Sequence, residues 1–279
     1  MIALPAHAPA AVNTAQLVSQ VGLPVIMALG FGFARAVGVT AILPVFTRLQ
    51  LGKTLRVAIA VVIAAIVMQP LAAQFAALGA MPPPATLLIM LIKEGLLGLL
   101  LGVIMGVPFW AAETAGEFID QQRGSQGAIM PSGNQSERAG ILGTLMILMC
   151  IMVFLQNGGM DFVLRGYIAS YRVWPAFALW PSFTLQAAFG VLHLLDHVTR
   201  VGLLLAAPLV MAMLIAELSL GLLNRFAQQL NVFDLALSVK SLIVGVGLCL
   251  YILVLLGDFH RMIPETMHLA PRLRVLTGN

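Results

Sequence analysis

The sequence predicts an all-α, polytopic membrane protein built from long bent helices and hairpins, and two observations carry that prediction. Of its 279 residues, 60% are hydrophobic and only 9% charged, with a mean hydropathy of +0.99, whereas soluble domains carry about 25% charged residues. The apolar runs are too many and too long for one soluble core, and their lengths are on the scale of the roughly 20 residues that cross a hydrocarbon layer. A transmembrane barrel would read instead as short alternating segments, which the chain lacks.

The chain opens Met-Ile-Ala-Leu-Pro-Ala-His-Ala-Pro, without the basic segment of a cleavable signal, and its first cation is Arg35. The start is expected to be retained. A first apolar run from about Gln16 to Phe46 contains Pro24, Pro44 and a central Arg35, too long for one straight span. The loop Thr47 to Arg56 holds Arg48, Lys53 and Arg56 with no anion, the clearest cytoplasmic signal in the chain. A second run, Val57 to Leu78, leads to an uncharged turn whose Pro82, Pro83 and Pro84 forbid helix continuation. The third run starts near Ala85, carries Lys93 and Glu94, then Gly98, Gly102 and Gly106 four apart, and ends in Trp110. Glycines at that spacing share one helix face and admit another backbone closely, either for helix packing within the chain or for other subunits.

A polar island follows, Glu117 to Arg138, holding Glu117, Asp120, Arg123, Glu137 and Arg138 among Gly, Ser, Asn and Gln. It is too polar for hydrocarbon and must meet water, a protein lumen or a partner surface. Ala139 to Leu155 is apolar again, and Gln156 to Gly159 reads as a turn. Met160 to Pro181 mixes Asp161, Arg165, Tyr167, Tyr171, Arg172, Trp174 and Trp180, a density of aromatics and arginines that suits a membrane interface or a protein surface. The run from about Phe183 to Leu223 is interrupted by His193, Asp196, His197, Arg200, Pro208 and Glu217, and reads as a bent helix or a tight hairpin. After Asn224 to Asp234 the last run spans Leu235 to Leu256, and the tail is polar and basic. Cys150 and Cys249 lie inside apolar runs as small hydrophobes, so neither a disulfide nor a metal site follows from them.

The positive-inside rule does not close on this pattern. If the Arg48 to Arg56 loop is cytoplasmic and each run crosses once, the island is cytoplasmic but the basic tail falls outside. Either some runs are hairpins, or several apparent spans are covered by protein rather than lipid.

The net charge of +4 comes from scattered cations with no basic run, so nucleic acid is not expected as a partner. His193, Asp196 and His197 have helical spacing for zinc, but the third ligand is absent and Arg200 lies on the same face, so no metal is expected. No nucleophile elbow, P-loop or dinucleotide fingerprint occurs, and neither enzyme activity nor a cofactor is expected. Arg35, Lys93, Glu94, Glu113, Glu117, Arg200, Glu217 and Lys240 lie in membrane runs, where each charge costs about 2.5–3.5 kcal/mol at a helix centre. Their near-balanced signs favour internal ion pairs. A secondary transporter with a substrate site among Glu94, Glu217 and Lys240 would use such residues, and so would a subunit packed against other charged subunits.

Four motifs occur in order: Ala34-Arg35 with Leu43-Pro44-Val45-Phe46; Lys93-Glu94-Gly95 followed by Gly98 and Gly102; Ala115-Gly116-Glu117 with Asp120, Gln122, Arg123 and Gly124; and Asn224-Arg225 with Gln229-Leu230-Asn231-Val232-Phe233 and Lys240-Ser241. Together they resemble the T subunit of the type III secretion export apparatus, whose flagellar counterpart is FliR. The Gln-Arg-Gly form of the island and the short tail resemble the injectisome branch more than the flagellar one. Gln228 stands where the family usually has proline, and Glu137-Arg138 where a less charged helix restart is usual.

The resemblance implies a structural, channel-forming subunit of an export gate that passes unfolded proteins across the bacterial inner membrane, partly at its periplasmic side within the basal body. Implied partners are the R and S subunits, the autocleaving U subunit, the large export gate ring, secreted proteins in transit and membrane lipid. Residues to about 165 would form an R-like part, 166–258 an S-like part and 259–279 a polar basic tail. Within the island, Glu117, Asp120, Gln122, Arg123, Gly124, Gly127, Pro131, Gly133, Glu137 and Arg138 would belong to a channel plug. Gly98, Gly102, Gly106, Gln229, Asn231 and Phe233 would pack subunits together. Arg35, Lys93, Glu94, Glu217, Arg225 and Lys240 would be the intramembrane charges.

Overall fold

Proline and glycine set most of the helix boundaries. A computed structural model describes residues 22–77, 82–124, 140–178, 185–226 and 232–267, with backbone alone for 185–195, 232–233 and 260–267. Its helices are α1 (Leu23–Ile42), α2 (Pro44–Thr47), α3 (Lys53–Ala77), α4 (Pro84–Arg123), α5 (Ile141–Gln156), α6 (Gly159–Val173), α7 (Leu185–Asn224) and α8 (Val232–Met267). Leu43, held extended ahead of Pro44, breaks the first apolar run into α1 and α2, as the steric demand of a following proline requires. Pro84 occupies the first turn of α4, where its missing N–H costs nothing. Pro70, Pro108 and Pro208 remain inside α3, α4 and α7.

One sequence expectation changes and two are filled in. The island begins as helix: α4 continues through Glu117 and Asp120 to Arg123 and stops only at Gly124, whose φ of +79° lets its N–H return to the Asp120 and Gln121 carbonyls. Of the bent helix and the tight hairpin left open for the run before Asn224, the structure forms a single helix from Leu185 to Asn224. The expected tail is helical as far as Met267. Where a turn was expected after Leu155, Gly158 at φ +72° sets α6 at 79° to α5. Five described helices are long and apolar enough to cross a membrane, or six if the bent α5–α6 pair counts as one span.

The other helices are arranged around α4, which at 40 residues is roughly 60 Å long, about twice the hydrocarbon thickness. α1 runs parallel to it: a Cβ at Gly98 would strike the Arg35 carbonyl, and one at Gly102 would lie 3.1 Å from the Val39 carbonyl. α3 returns antiparallel on α1, where Gly32 faces Ala64 and Val67. α5 runs antiparallel on the lower half of α4, with Gly116 against Leu142 and the Phe109 and Phe154 rings 5.1 Å apart. α7 runs parallel to that same lower half, with Gly202 against Ala111 and Thr114, and α8 folds back on α7, where a Cβ at Gly247 would meet Leu209 Cδ2 at 2.5 Å.

These registers stagger the two apolar pairs. The middle of α1–α3 lies level with the first half of α4, and the middle of α7–α8 level with its last ten or so residues, a shift of roughly 30 Å along α4 at the helical rise. One flat hydrocarbon layer about 30 Å thick cannot cover both pairs while α4 crosses it.

Candidate functional site

Two polar clusters punctuate α4. The first closes on Arg35, which is wholly buried in the middle of α1. Its Nε lies 2.7 Å from Glu94 Oε2, Nη1 donates to Ser170 Oγ at 2.8 Å and Nη2 to the Trp174 carbonyl at 3.2 Å, while the guanidinium stacks 3.7 Å above the Tyr171 ring. Lys93 Nζ lies 3.0 Å from Glu94 Oε1 and donates to the carbonyls of Pro175, Ala176 and Ala178 at 3.3, 2.6 and 3.1 Å. Tyr167 OH, on the buried face of α6, donates to the Gly32 carbonyl at 2.7 Å. A guanidinium offers a planar fork of donors and an ammonium three more; here they satisfy one carboxylate, one hydroxyl and four backbone carbonyls. Such an arrangement holds chain segments together, because losing one of these partners would strand a charge in a dry interior.

The second cluster lies at the feet of the island. Asp120 Oδ2 accepts the Leu142 N–H at 2.8 Å, and Oδ1 pairs with Arg123 Nη2 at 2.9 Å. The carboxylate thus caps the first turn of α5 from another helix, in place of a local N-cap side chain. It also sits where a Cβ on Gly140 would be, so the chain leaving at Gly124 and re-entering at Gly140 is drawn together by one side chain. Lys240 Nζ lies 2.7 Å from Glu217 Oε2 and 3.2 Å from the Gln122 carbonyl, and Gln122 Nε2 donates to the same Glu217 oxygen at 3.2 Å. The ammonium therefore meets the negative end of α4 and ties it to α7 and α8. Two turns or more before Asp120 and Gln122 on α4, Arg48 Nη2 reaches Glu113 Oε1 at 2.6 Å, fixing the α2–α3 loop to α4.

The remaining sequence candidates separate. Gly127, Pro131, Gly133, Glu137 and Arg138, like Gln229 and Asn231, lie outside the described residues, and Phe233 is described by its backbone at the start of α8. Of the two packings open to the glycine face, that within the chain is formed at Gly98 and Gly102, which receive α1, while Gly106 is met by Trp110 of its own helix. Arg200 and Arg225 are exposed rather than buried, because they fall on outward faces of α7 and its end. Glu94 and the Glu217–Lys240 pair stand at opposite ends of α4, separated by roughly 40 Å of helix, so the expected single transport site among them is not formed. Among the described residues no group of three His, Cys, Asp or Glu could hold a metal; the His193 side chain is not described. The sequence reading missed Ser170, Tyr171 and Trp174 as partners of Arg35, although their spacing puts them along one face and end of α6, and it missed Gly38, whose Cβ would come 2.5 Å from the Gly95 carbonyl.

Compared with known proteins, residues 26–266 match the family described as "Bacterial export proteins, family 1". The Yop proteins translocation protein T of Yersinia pestis is 34% identical over 166 residues, 60% of this chain and 64% of that protein; the chain thus aligns with less than two thirds of that relative's length. The surface presentation of antigens protein SpaR of Salmonella typhimurium is 31% identical over 233 residues, covering 81% of this chain and 83% of the relative. The flagellar biosynthetic protein FliR of Escherichia coli is 29% identical over 171 residues, 60% of this chain and 63% of its own.

Proposed function

The chain belongs to the bacterial export proteins of family 1, and from that premise we propose that it is a structural, channel-forming subunit of a type III secretion export gate that passes unfolded proteins across the bacterial inner membrane. The names of its relatives, translocation and surface presentation in the nearer cases and flagellar biosynthesis in the more distant one, support an export role on the injectisome side. The observation that carries the reading is the stagger of the two apolar helix pairs along α4. A lone transporter surrounded by lipid has its apolar faces in one layer; a subunit whose second pair is displaced by a bilayer's thickness needs other helices to cover part of its surface. The R and S subunits, the U subunit and the large gate ring are the partners this reading supplies.

In this reading residues to about 165 form the R-like part and residues 166–258 the S-like part, so that the division falls within α6. The segment after α6, whose carbonyls Arg35 and Lys93 hold, ties the second part to the first. The island 117–138 acts as the plug, with Asp120 as the clasp at its foot, and the energy for transit comes from other components. Deleting residues 125–135 in the assembled apparatus, which keeps the Gly124 cap and Gly140, tests the plug. Ion or small-solute leakage across the membrane is expected, and an unchanged permeability overturns that role.

A further inference from the structure

Helix α6 carries charge at a level where its neighbours are apolar. Its outward stripe is Asp161, Arg165, Ile168 and Arg172, at the i, i+4, i+7, i+11 spacing of one helical face. Asp161 Oδ2 and Arg165 Nε pair at 2.8 Å with their side chains 63% and 78% exposed. The opposite stripe, Val163, Gly166, Tyr167 and Ser170, is buried. Leaving α5 at 79°, α6 crosses α1 at Gly32 and Arg35, midway along that helix. At the same level α3 turns Val62 outward and α4 turns Ile92 outward, at 65% and 56% exposure. Charges at the centre of a hydrocarbon layer cost about 2.5–3.5 kcal/mol each by insertion scales, and an exposed ion pair offsets little of that. One perimeter at one depth therefore presents two incompatible surfaces, one suited to an apolar cover and one to water.

We propose that the Asp161–Arg165–Arg172 stripe faces water inside the assembly and forms a hydrated wall of the conduit, along which an extended polypeptide passes. Its mixed signs and its long, flexible arginines give transient contacts to either charge on a passing chain without a strongly adhesive apolar surface. The identity of what passes rests on the export reading above; the wetting of α6 does not.

The test uses the full chain within its complete apparatus, purified into lipid nanodiscs so that reagent reaches both faces. In a background of Cys150→Ala and Cys249→Ser, the single variants Arg165→Cys, Arg172→Cys and, as the apolar reference at the same level, Ile92→Cys are reacted with a small cationic methanethiosulfonate. Reaction at least ten-fold faster at positions 165 and 172 than at 92 is expected. Equal rates, or fast reaction at 165 and 172 only when the chain is stripped of its partners, overturns the proposal, since the stripe would then face lipid or be covered by protein. If one arginine variant fails to assemble, the other gives the same reading. Fast labelling together with unchanged permeability on loop deletion would remove the plug and leave the wetted wall; leakage without labelling would do the reverse.

Discussion

Arg35 and Glu94, fifty-nine residues apart in the chain, meet at 2.7 Å with neither side chain accessible to solvent. The contact is possible because the two helices that carry them run parallel and nearly touch: Gly38 and Gly98 remove the side chains that would hold the backbones apart. Removing one partner of a buried pair strands the other charge, at a cost of about 3–5 kcal/mol. Arg35→Met is therefore expected to lower the yield and thermal stability of the detergent-solubilised complex sharply. The double variant Arg35→Met with Glu94→Gln is expected to recover part of that loss, which a double-mutant cycle of melting temperatures measures.

The glycine faces give a paired test on a single turn. Gly98→Ala places a methyl group against the Arg35 backbone carbonyl, which cannot swing aside as a side chain would, whereas a methyl group at Gly95 meets nothing within 4 Å. Gly98→Ala is expected to destabilise the bundle and loosen the Arg35–Glu94 contact. Gly95→Ala is expected to be neutral or to stabilise by about 0.5–1 kcal/mol through helix propensity. Comparing the two melting temperatures checks the parallel packing of α1 on α4, because only close backbone approach separates them.

Asp120 serves both feet of the island through two different oxygens. Asp120→Asn retains an acceptor for the Leu142 N–H and loses the charge pairing with Arg123; Asp120→Ala loses both. A lost helix cap costs typically about 1 kcal/mol, so the alanine variant should melt below the asparagine one. In the assembled apparatus it should also leak more if the island 117–138 acts as a plug. Equal behaviour of the two variants would show that the capping bond does not hold the feet.

Lys93 holds three carbonyls of the segment that leads from α6 to α7. Lys93→Met frees all three and keeps most of the apolar stem. Limited proteolysis of the purified complex is expected to cut residues 174–178 several-fold faster in this variant, with α1–α4 unaffected. By contrast, Glu217→Gln acts on a half-exposed partner and leaves Lys240 its contact with the Gln122 carbonyl. Its effect on the melting temperature is expected to be smaller than that of Arg35→Met.

The sequence by itself determined the class: apolar runs of membrane length, the proline and glycine breaks between them, and charges that had to be compensated wherever they lay. Those are local properties, since hydrophobicity, a fixed proline φ and the cost of dehydrating a charge act at the residue concerned. Arg35 and Glu94 could therefore be identified from placement as two of eight charges of nearly balanced sign that needed partners. That they face one another, and that Ser170, Trp174 and Lys93 complete the shell, was decided only by the tertiary structure, because partner choice depends on the register of α1, α4 and α6. The island shows the same division. Its polarity excluded hydrocarbon from the outset, but the continuation of α4 to Arg123 and the capping of α5 by Asp120 needed the fold, since a cap supplied from another helix leaves no local signature. The stagger of the two hairpins also needed it: the length of a run fixes how much membrane it can cross, whereas its depth is fixed only by the neighbours against which it packs.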